Sequence, residues 1–344
     1  MKVLIDLQHP ADLHFFRHLI QEFPAEGHTV KVTGWHKDIL EELADEYGIE
    51  MEVFGQSGGG LFRMALALWV RMTRLIGIMR RFKPDLAMSI GGTFVSIPGR
   101  LMRVRTYVFY DTEHATVSNL LAYPFCSCVY VPQCYYKPIR WRHERYNGYH
   151  ELAYMHPDVF TPDPTVLEEA GIGADEPFSI VRFVGWTAGH DLGHEGLTLE
   201  QKIRTVEEIA RHTRVVISAE GDLPEALEPY RLKLPVTRMH HLMHYTRLIF
   251  GESGTMPSEA SVRGVPSIYI NPLRLGYLEE QEREYGLVSV FTPTQFEDAL
   301  ARALSILQGY DRDHWRALGE RLVHEKIDVN AMLKNLVNDA PSRR

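Results

Sequence analysis

Two periodicities share this chain. Short apolar runs at residues 3–7, 30–33, 51–54, 86–90 and 107–109 read as buried strands, and between them apolar positions recur at helical spacing, as in Phe15, Phe16, Leu19 and Ile20. Helices are predicted over 39–47, 61–82 and 95–102, with Gly27-His28 ending the first helix and Gly58-Gly59-Gly60 forming a loose connection. Such alternation predicts a parallel sheet with helices packed on it. The pattern restarts near Phe178: strands at 179–183, 214–218, 248–250 and 267–270, a helix over 199–212, and a final helical region. The expected fold class is α/β, with two Rossmann-like doubly wound domains, 1–160 and 178–344. A proline-rich connector, 161–177, separates them.

A chain of 344 residues exceeds the usual size of one core, and 45% hydrophobic residues supply two. With 37 basic against 45 acidic side chains, a net charge of -8 argues against wholesale nucleic-acid binding. Three cysteines, Cys126, Cys128 and Cys134, are too few for a disulfide framework and imply a reducing, cytoplasmic setting. The apolar run before Asp6 is too short for a signal peptide. No Gly-x-Gly-x-x-Gly follows the first strand, which disfavours a nicotinamide dehydrogenase.

The most informative segment is the strand Leu248-Ile249-Phe250 with the turn Gly251 to Gly254 and the helix beginning near Thr255. The first amides of a helix lack intrahelical partners and its dipole favours negative charge, so Ser253, Gly254 and Thr255 suit a diphosphate. One turn on, the carboxylate of Glu259 can accept both hydroxyls of a ribose. An ordinary strand-to-helix turn with Glu259 on a solvated face is the plainer alternative.

In a doubly wound sheet, ligands bind beyond the carboxyl ends of strands, which directs attention to the polar loops there. His14 follows the first, and Gly91, Gly92 and Thr93 form a second that admits a ligand closely. Asp111 and Glu113 lie on a third and can take a proton from a hydroxyl, as can His14. Capping for Asp111 and packing for His14 are the structural alternatives. Arg182, with His190 in the glycine-rich loop 185–196, fits a diphosphate. Three histidines, His240, His241 and His244, lack a nearby carboxylate or cysteine and read as a helix face with one histidine at the nucleotide; no metal site is expected. Glu280 and Gln281 pair a carboxylate with an amide, which together supply hydrogen-bond acceptors and donors; a charged, exposed helix start is the plainer alternative. The helix 61–82 is basic and strongly apolar, without an acidic residue. It suits either a core helix with a basic edge or peripheral contact with an anionic membrane surface.

The segment around Glu259 resembles the donor-nucleotide segment of the GT-B superfamily, which includes the N-acetylglucosaminyltransferase of peptidoglycan lipid synthesis and UDP-N-acetylglucosamine 2-epimerase. The whole chain is similar to a family of conserved proteins of unknown function related to those enzymes. The matching blocks are Leu13-His14-Phe15-Phe16, Asp111-Thr112, Ala188-Gly189-His190-Asp191 and Glu259-Ala260. The resemblance implies a GT-B fold whose domains face a central cleft, with final helices packing back towards the first domain. It implies a glycosyltransferase without cofactor that takes a UDP-type sugar in the second domain, with Glu280 and Gln281 holding the sugar hydroxyls, and an acceptor, sugar or lipid-linked, at Gly91, Gly92 and Thr93. Gly91-Gly92-Thr93 replaces the epimerase's Gly-Asp-Thr, and no equivalent of its Pro-Glu-Glu stands near Tyr123-Pro124, so the resemblance to epimerases is weaker.

Overall fold

Side chains alternate across a strand, and that alternation decides how helices distribute over each sheet. The computed structural model describes residues 1–36, 38–55, 61–114, 116–183, 196–219 and 221–341, the side chains of 38 and 61–66 excepted. It divides into two units, Met1–Tyr154 with Ile327–Arg344, and Met155–Lys326.

In the first unit, strands β1 (Lys2–Leu7), β2 (Thr29–Gly34), β3 (Met51–Val53), β4 (Leu86–Ile90), β5 (Arg105–Phe109), β6 (Cys128–Pro132) and β7 (His143–Tyr146) form one parallel sheet. Their order is β3-β2-β1-β4-β5-β6-β7. Helices α1 (Pro10–Glu22), α2 (Asp38–Glu46), α3 (Leu61–Phe82), α4 (Ser96–Met102) and α5 (Thr116–Ala122) follow β1 to β5 in turn, and α6 (Leu152–Met155) crosses the unit boundary. On one face, Leu4 and Ala87 pack against Leu75, Ile78 and Met79 of α3. Val108 and Tyr110 point to Ala122 of α5 on that face. Phe109, one residue between them, meets Phe15 and Phe16 of α1 on the other, with ring centroids at 5.2 and 5.7 Å.

The second unit holds α7 (Thr165–Glu169), β8 (Phe178–Phe183), α8 (Leu199–Ala210), β9 (Arg214–Ala219), α9 (Met239–Tyr245), β10 (Leu248–Gly251), α10 (Thr255–Val262), β11 (Ser267–Ile270), α11 (Gly276–Glu280), β12 (Val288–Phe291), α12 (Phe296–Gln308) and α13 (Arg312–Glu325). Its parallel sheet runs β12-β11-β10-β8-β9. The segment 161–177 lies inside this unit, where α7 packs on α9. The last helix, α14 (Val329–Asn338), belongs to the first unit and packs on α1.

Strand order reverses between β1 and β4 in the first sheet and between β8 and β10 in the second. These switch points are where doubly wound sheets open a crevice for ligands. The first helix is shorter than its pattern predicts, because Pro24 falls in a 3-10 turn after Glu22 and the chain leaves through Gly27 at φ 83. Strands β6, β7 and β12 add to the predicted set, so the region after α11 is not wholly helical.

Candidate functional site

At the second switch point, β10 ends in Gly251 because nothing larger fits: a Cβ there would lie 2.2 Å from the carbonyl oxygen of Arg182 on β8. The chain turns through Glu252, Ser253 and Gly254 into α10, whose N-terminus has no side-chain cap. Its first amides thus retain the donor capacity that an anion uses. Ser253, Gly254 and Thr255 are half-buried, whereas the rest of α10 is buried throughout. Leu275 and Tyr277 close over Gly254, where a Cβ would meet Leu275 at 2.5 Å.

Glu259, one turn into α10, is buried and pairs with His240 of α9, Oε1 to Nε2 2.9 Å. A buried pair of this kind fixes both side chains. The other two histidines of α9 go elsewhere. His241 Nδ1 accepts from Asp163 N at 3.0 Å, and His244 Nδ1 accepts from Arg316 at 3.1 Å and Arg263 at 3.3 Å. Burial, then Arg316 and Arg263, push His244 down to about 3, which keeps it neutral. Gln281 and Ser258 are both buried, Nε2 donating to Oγ at 2.8 Å, while Gln281 Oε1 has no hydrogen-bond partner among the described residues. Glu280 meets Lys326 at 3.0 Å and Arg182 donates to Ser218 Oγ at 2.8 Å. The turn residue Glu252, which the sequence reading passed over, is buried, accepts from Leu197 N at 2.7 Å and lies 3.6 Å from Lys202 Nζ. His190 lies outside the described residues.

At the first switch point, Gln8, in the loop after β1, joins that loop to the carboxyl end of β4, Nε2 donating to Ser89 Oγ at 3.4 Å and Ile90 O at 3.3 Å. Gly91 and Gly92 both take positive φ, 72 and 69. A side chain at Gly92 would also strike Val108 at 2.4 Å. Thr93 follows them half-buried. Behind this loop pair Asp6 and Arg71 are buried together, Oδ1 to Nη2 2.8 Å, with Thr33 donating to the same carboxylate at 2.7 Å. Trp35, Phe54 and Phe94 surround the Arg71 guanidinium within about 5 Å. One arginine of the basic helix is therefore core. Asp12 accepts from the amides of Gln8 and His9, and burial pushes its carboxyl up to about 7.

Past β5, Asp111 Oδ2 pairs with His150 Nδ1 at 3.1 Å, and Thr112 donates to Oδ1 at 2.9 Å. Burial raises the Asp111 carboxyl, but the His150 charge and hydrogen bonds outweigh it and hold the group below its ordinary value. The same pairing outweighs burial at His150 and raises the imidazole. Of the two, His150 is the more enclosed: its ring lies on Phe15 at 4.5 Å and parallel to Tyr146, and Nε2 is buried without a hydrogen-bond partner among the described residues. Glu113 is fully buried and accepts from Tyr136 N at 3.4 Å. His14 is buried too, stacked on Tyr154 at 5.3 Å with Tyr47 at its edge. Thus Asp111 is the proton-transfer candidate that retains access to solvent. His150 was missed because the strand before it, His143-Glu144-Arg145-Tyr146, is a polar sheet edge without an apolar run.

Among the described residues, no three His, Cys, Asp or Glu side chains cluster as a metal site, and no helix is long and apolar enough to cross a membrane. A groove of about 710 Å³ lined by Met1, Lys2, Thr29, Arg80, Lys83 and Asp85 sits at the amino ends of β1 and β4, the wrong end of a doubly wound sheet for its ligand.

Two doubly wound units with these strand orders define the GT-B fold, and solved structures agree over essentially the whole chain. The UDP-GlcNAc 2-epimerase of Neisseria meningitidis bound to UDP-GlcNAc is 14% identical, with a TM-score of 0.70 over 98% of this chain and 100% of that one. That of Methanocaldococcus jannaschii is 12% identical, with a TM-score of 0.69 over the same shares. The spinosyn rhamnosyltransferase SpnG complexed with thymidine diphosphate is 13% identical, with a TM-score of 0.64, again over 98% and 100%. The chain itself belongs to the family described as "Protein of unknown function (DUF354)", which matches residues 1–291. An uncharacterized protein of Methanocaldococcus jannaschii is 23% identical over 331 residues, 90% of this chain and 94% of the relative.

Proposed function

We propose that the protein is a glycosyltransferase that moves a sugar from a UDP-type nucleotide sugar to an acceptor, sugar or lipid-linked, in cell-surface glycan synthesis. The observation that carries this reading is the uncapped N-terminus of α10 at the second switch point, backed by the buried Glu259–His240 pair. The α10 amides with Ser253 and Thr255 hold the diphosphate and stabilise it as it leaves, without a metal. Glu259, oriented by His240, accepts from the ribose. Gln281, whose Oε1 has no hydrogen-bond partner among the described residues, and Glu280 serve the sugar side; Arg182 and His190 complete the anion contacts. Gly91, Gly92 and Thr93 admit the acceptor, and Asp111 takes its proton with His150 as positioning residue. Glu113 and His14 are the alternatives to Asp111.

A second reading, a sugar-nucleotide 2-epimerase, draws support from the epimerases among the structural neighbours. One experiment separates the readings. Purified protein is incubated with a panel of nucleotide sugars, with and without lipid extract, and products are resolved by chromatography and mass. Glycosyl transfer requires the extract and releases UDP. Conversion of donor to an isomer without acceptor selects the epimerase, and binding without turnover makes the protein a nucleotide-sugar carrier.

A further inference from the structure

A group of arginines in the second unit has no part in the nucleotide reading. A Cβ on Gly319 would lie 2.5 Å from the backbone of Gly264, so glycine at both positions lets α13 press on the end of α10. That contact sets Arg316 of α13 against Arg263, which caps the carboxyl end of α10. Arg316 donates to the carbonyl oxygens of Arg263 and His244 and so ties the carboxyl ends of α10 and α9 together. Arg263 Nη1 donates to Met155 O at 3.1 Å, its guanidinium over the Phe160 ring. Arg312 stands one turn before Arg316 on α13 and shares its face of the helix, exposed to solvent. Arg247, just before β10, lies over the Tyr310 ring at 5.1 Å.

Charge and donors are both in excess here. Among the described residues no carboxylate pairs with any of these four arginines. The carboxylates that act on Tyr245 and Tyr310 are engaged elsewhere, Asp163 with Arg238 at 2.9 Å and Asp311 with the amides of Asp313 and His314. The neutral His244 imidazole offers one lone pair, yet Arg263 Nε and Nη2, each at 3.3 Å, and Arg316 Nη1 at 3.1 Å all point to it. One good hydrogen bond is thus available to three donors. Burial first, then the charges of Arg312 and Arg263, pull Arg316 down to about 10, as cations held together without a carboxylate should be. Beside them burial raises the phenols of Tyr245 and Tyr310, which stay protonated and able to donate. A partner for this set must carry more than one negative charge and accept from several directions. A carboxylate carries one charge and matches one guanidinium fork, whereas a phosphate group carries roughly two near neutral pH and offers at least three acceptor oxygens.

We propose that Arg263, Arg312 and Arg316, with the phenols of Tyr245 and Tyr310, form a second anion site that binds the phosphate group of a small molecule, as free phosphate or a phosphomonoester. The site goes beyond the nucleotide-sugar reading and does not depend on it. It lies where α9 and α10 end, at the amino end of β10, whereas the proposed diphosphate contacts lie at the carboxyl end of that strand. Tying two helix ends together accounts for Arg316 alone; it leaves Arg312 without a structural task.

The test is calorimetry of the full chain with inorganic phosphate and, separately, methyl phosphate, at constant ionic strength against a sodium chloride blank. Wild type should bind at least one of the two, and the tighter one tells free phosphate from a phosphomonoester. Arg263→Gln and Arg312→Gln should each weaken that binding on the order of tenfold or more. Ser253→Ala, at the other end of α10, is the control and should bind phosphate as wild type. Melting curves without phosphate show whether each variant folds, and Arg312→Gln, altered at an exposed position, decides the matter should Arg263→Gln unfold. Wild type that binds neither anion, an Arg312→Gln variant that binds as wild type, or binding lost in Ser253→Ala and kept in the arginine variants would each overturn the proposal. The last outcome would place the phosphate at the amino end of α10 instead.

Discussion

Asp111 and His150 show what pairing with a buried imidazole does to the protonation of a single carboxyl. Because His150 holds the Asp111 carboxyl down against the pull of burial, removing the imidazole leaves burial unopposed. His150→Gln should therefore raise the Asp111 pKa and move the acid limb of the pH–rate profile to higher pH. Asp111→Asn should instead lower turnover on the order of a hundredfold while sparing UDP binding. An acid limb that stays in place in His150→Gln would remove His150 from its positioning role. The stability signs follow from the same shifts. The depressed Asp111 contributes above its ordinary 3.8 and is lost as pH falls through its folded value; the raised His150 contributes fully below 6.5 and is lost as pH rises through its own. Their joint contribution is greatest between those limits. At the donor site, Glu259→Ala should weaken UDP binding by roughly 1–3 kcal/mol, and His240→Ala should weaken it less, since it removes only the group that orients the carboxylate. Calorimetry with UDP reads both, and unchanged affinity in Glu259→Ala ends the ribose assignment.

Elements were legible where their cause is local. The bounds of α3 follow from an uninterrupted apolar period between a glycine run and Lys83-Pro84, and the strand-turn-helix of β10 and α10 from Gly251, Gly254 and the buried strand before them. β7 was illegible because an edge strand needs no apolar run, and without it the position of His150 could not be read. The burial of Arg71 was illegible for a different reason: its partner Asp6 lies 65 residues away, and only the packing of α3 on β1 brings them together. For Glu259, spacing leaves a ligand contact and a solvated helix face both open and only the resemblance favours the former; its histidine partner comes from α9 and needs tertiary structure. Two predictions belong to this scale. Arg71→Leu should destabilise the first unit by about 3–5 kcal/mol by leaving the Asp6 charge buried and unpaired, whereas the double Asp6→Leu/Arg71→Leu should recover part of that loss; urea melts decide. Gly251→Ala should force β10 away from the Arg182 carbonyl, costing roughly 1–3 kcal/mol and disturbing the turn that α10 grows from.

At the scale of the molecule, each unit has its own parallel sheet, and the proposed nucleotide contacts on described residues all belong to the second. A ligand that binds only the native state stabilises it by mass action, so UDP at a hundredfold excess over its Kd should add about 2.7 kcal/mol. That gain should be local before it is global. Hydrogen exchange with UDP bound should slow amides of Gly251–Val262 and of α9, while the β7 edge near His150 keeps its rate, because the proposed donor contacts lie on the former and none lies on the latter. The same protection should persist with a chelator in the buffer if helix amides and hydroxyls hold the diphosphate as proposed. Protection that collapses with EDTA and returns with magnesium would show that the diphosphate is held through a metal. Protection centred on Gly91, Gly92 and Asp111, with none at α10, would move the nucleotide to the first unit and reverse the proposed division between donor and acceptor.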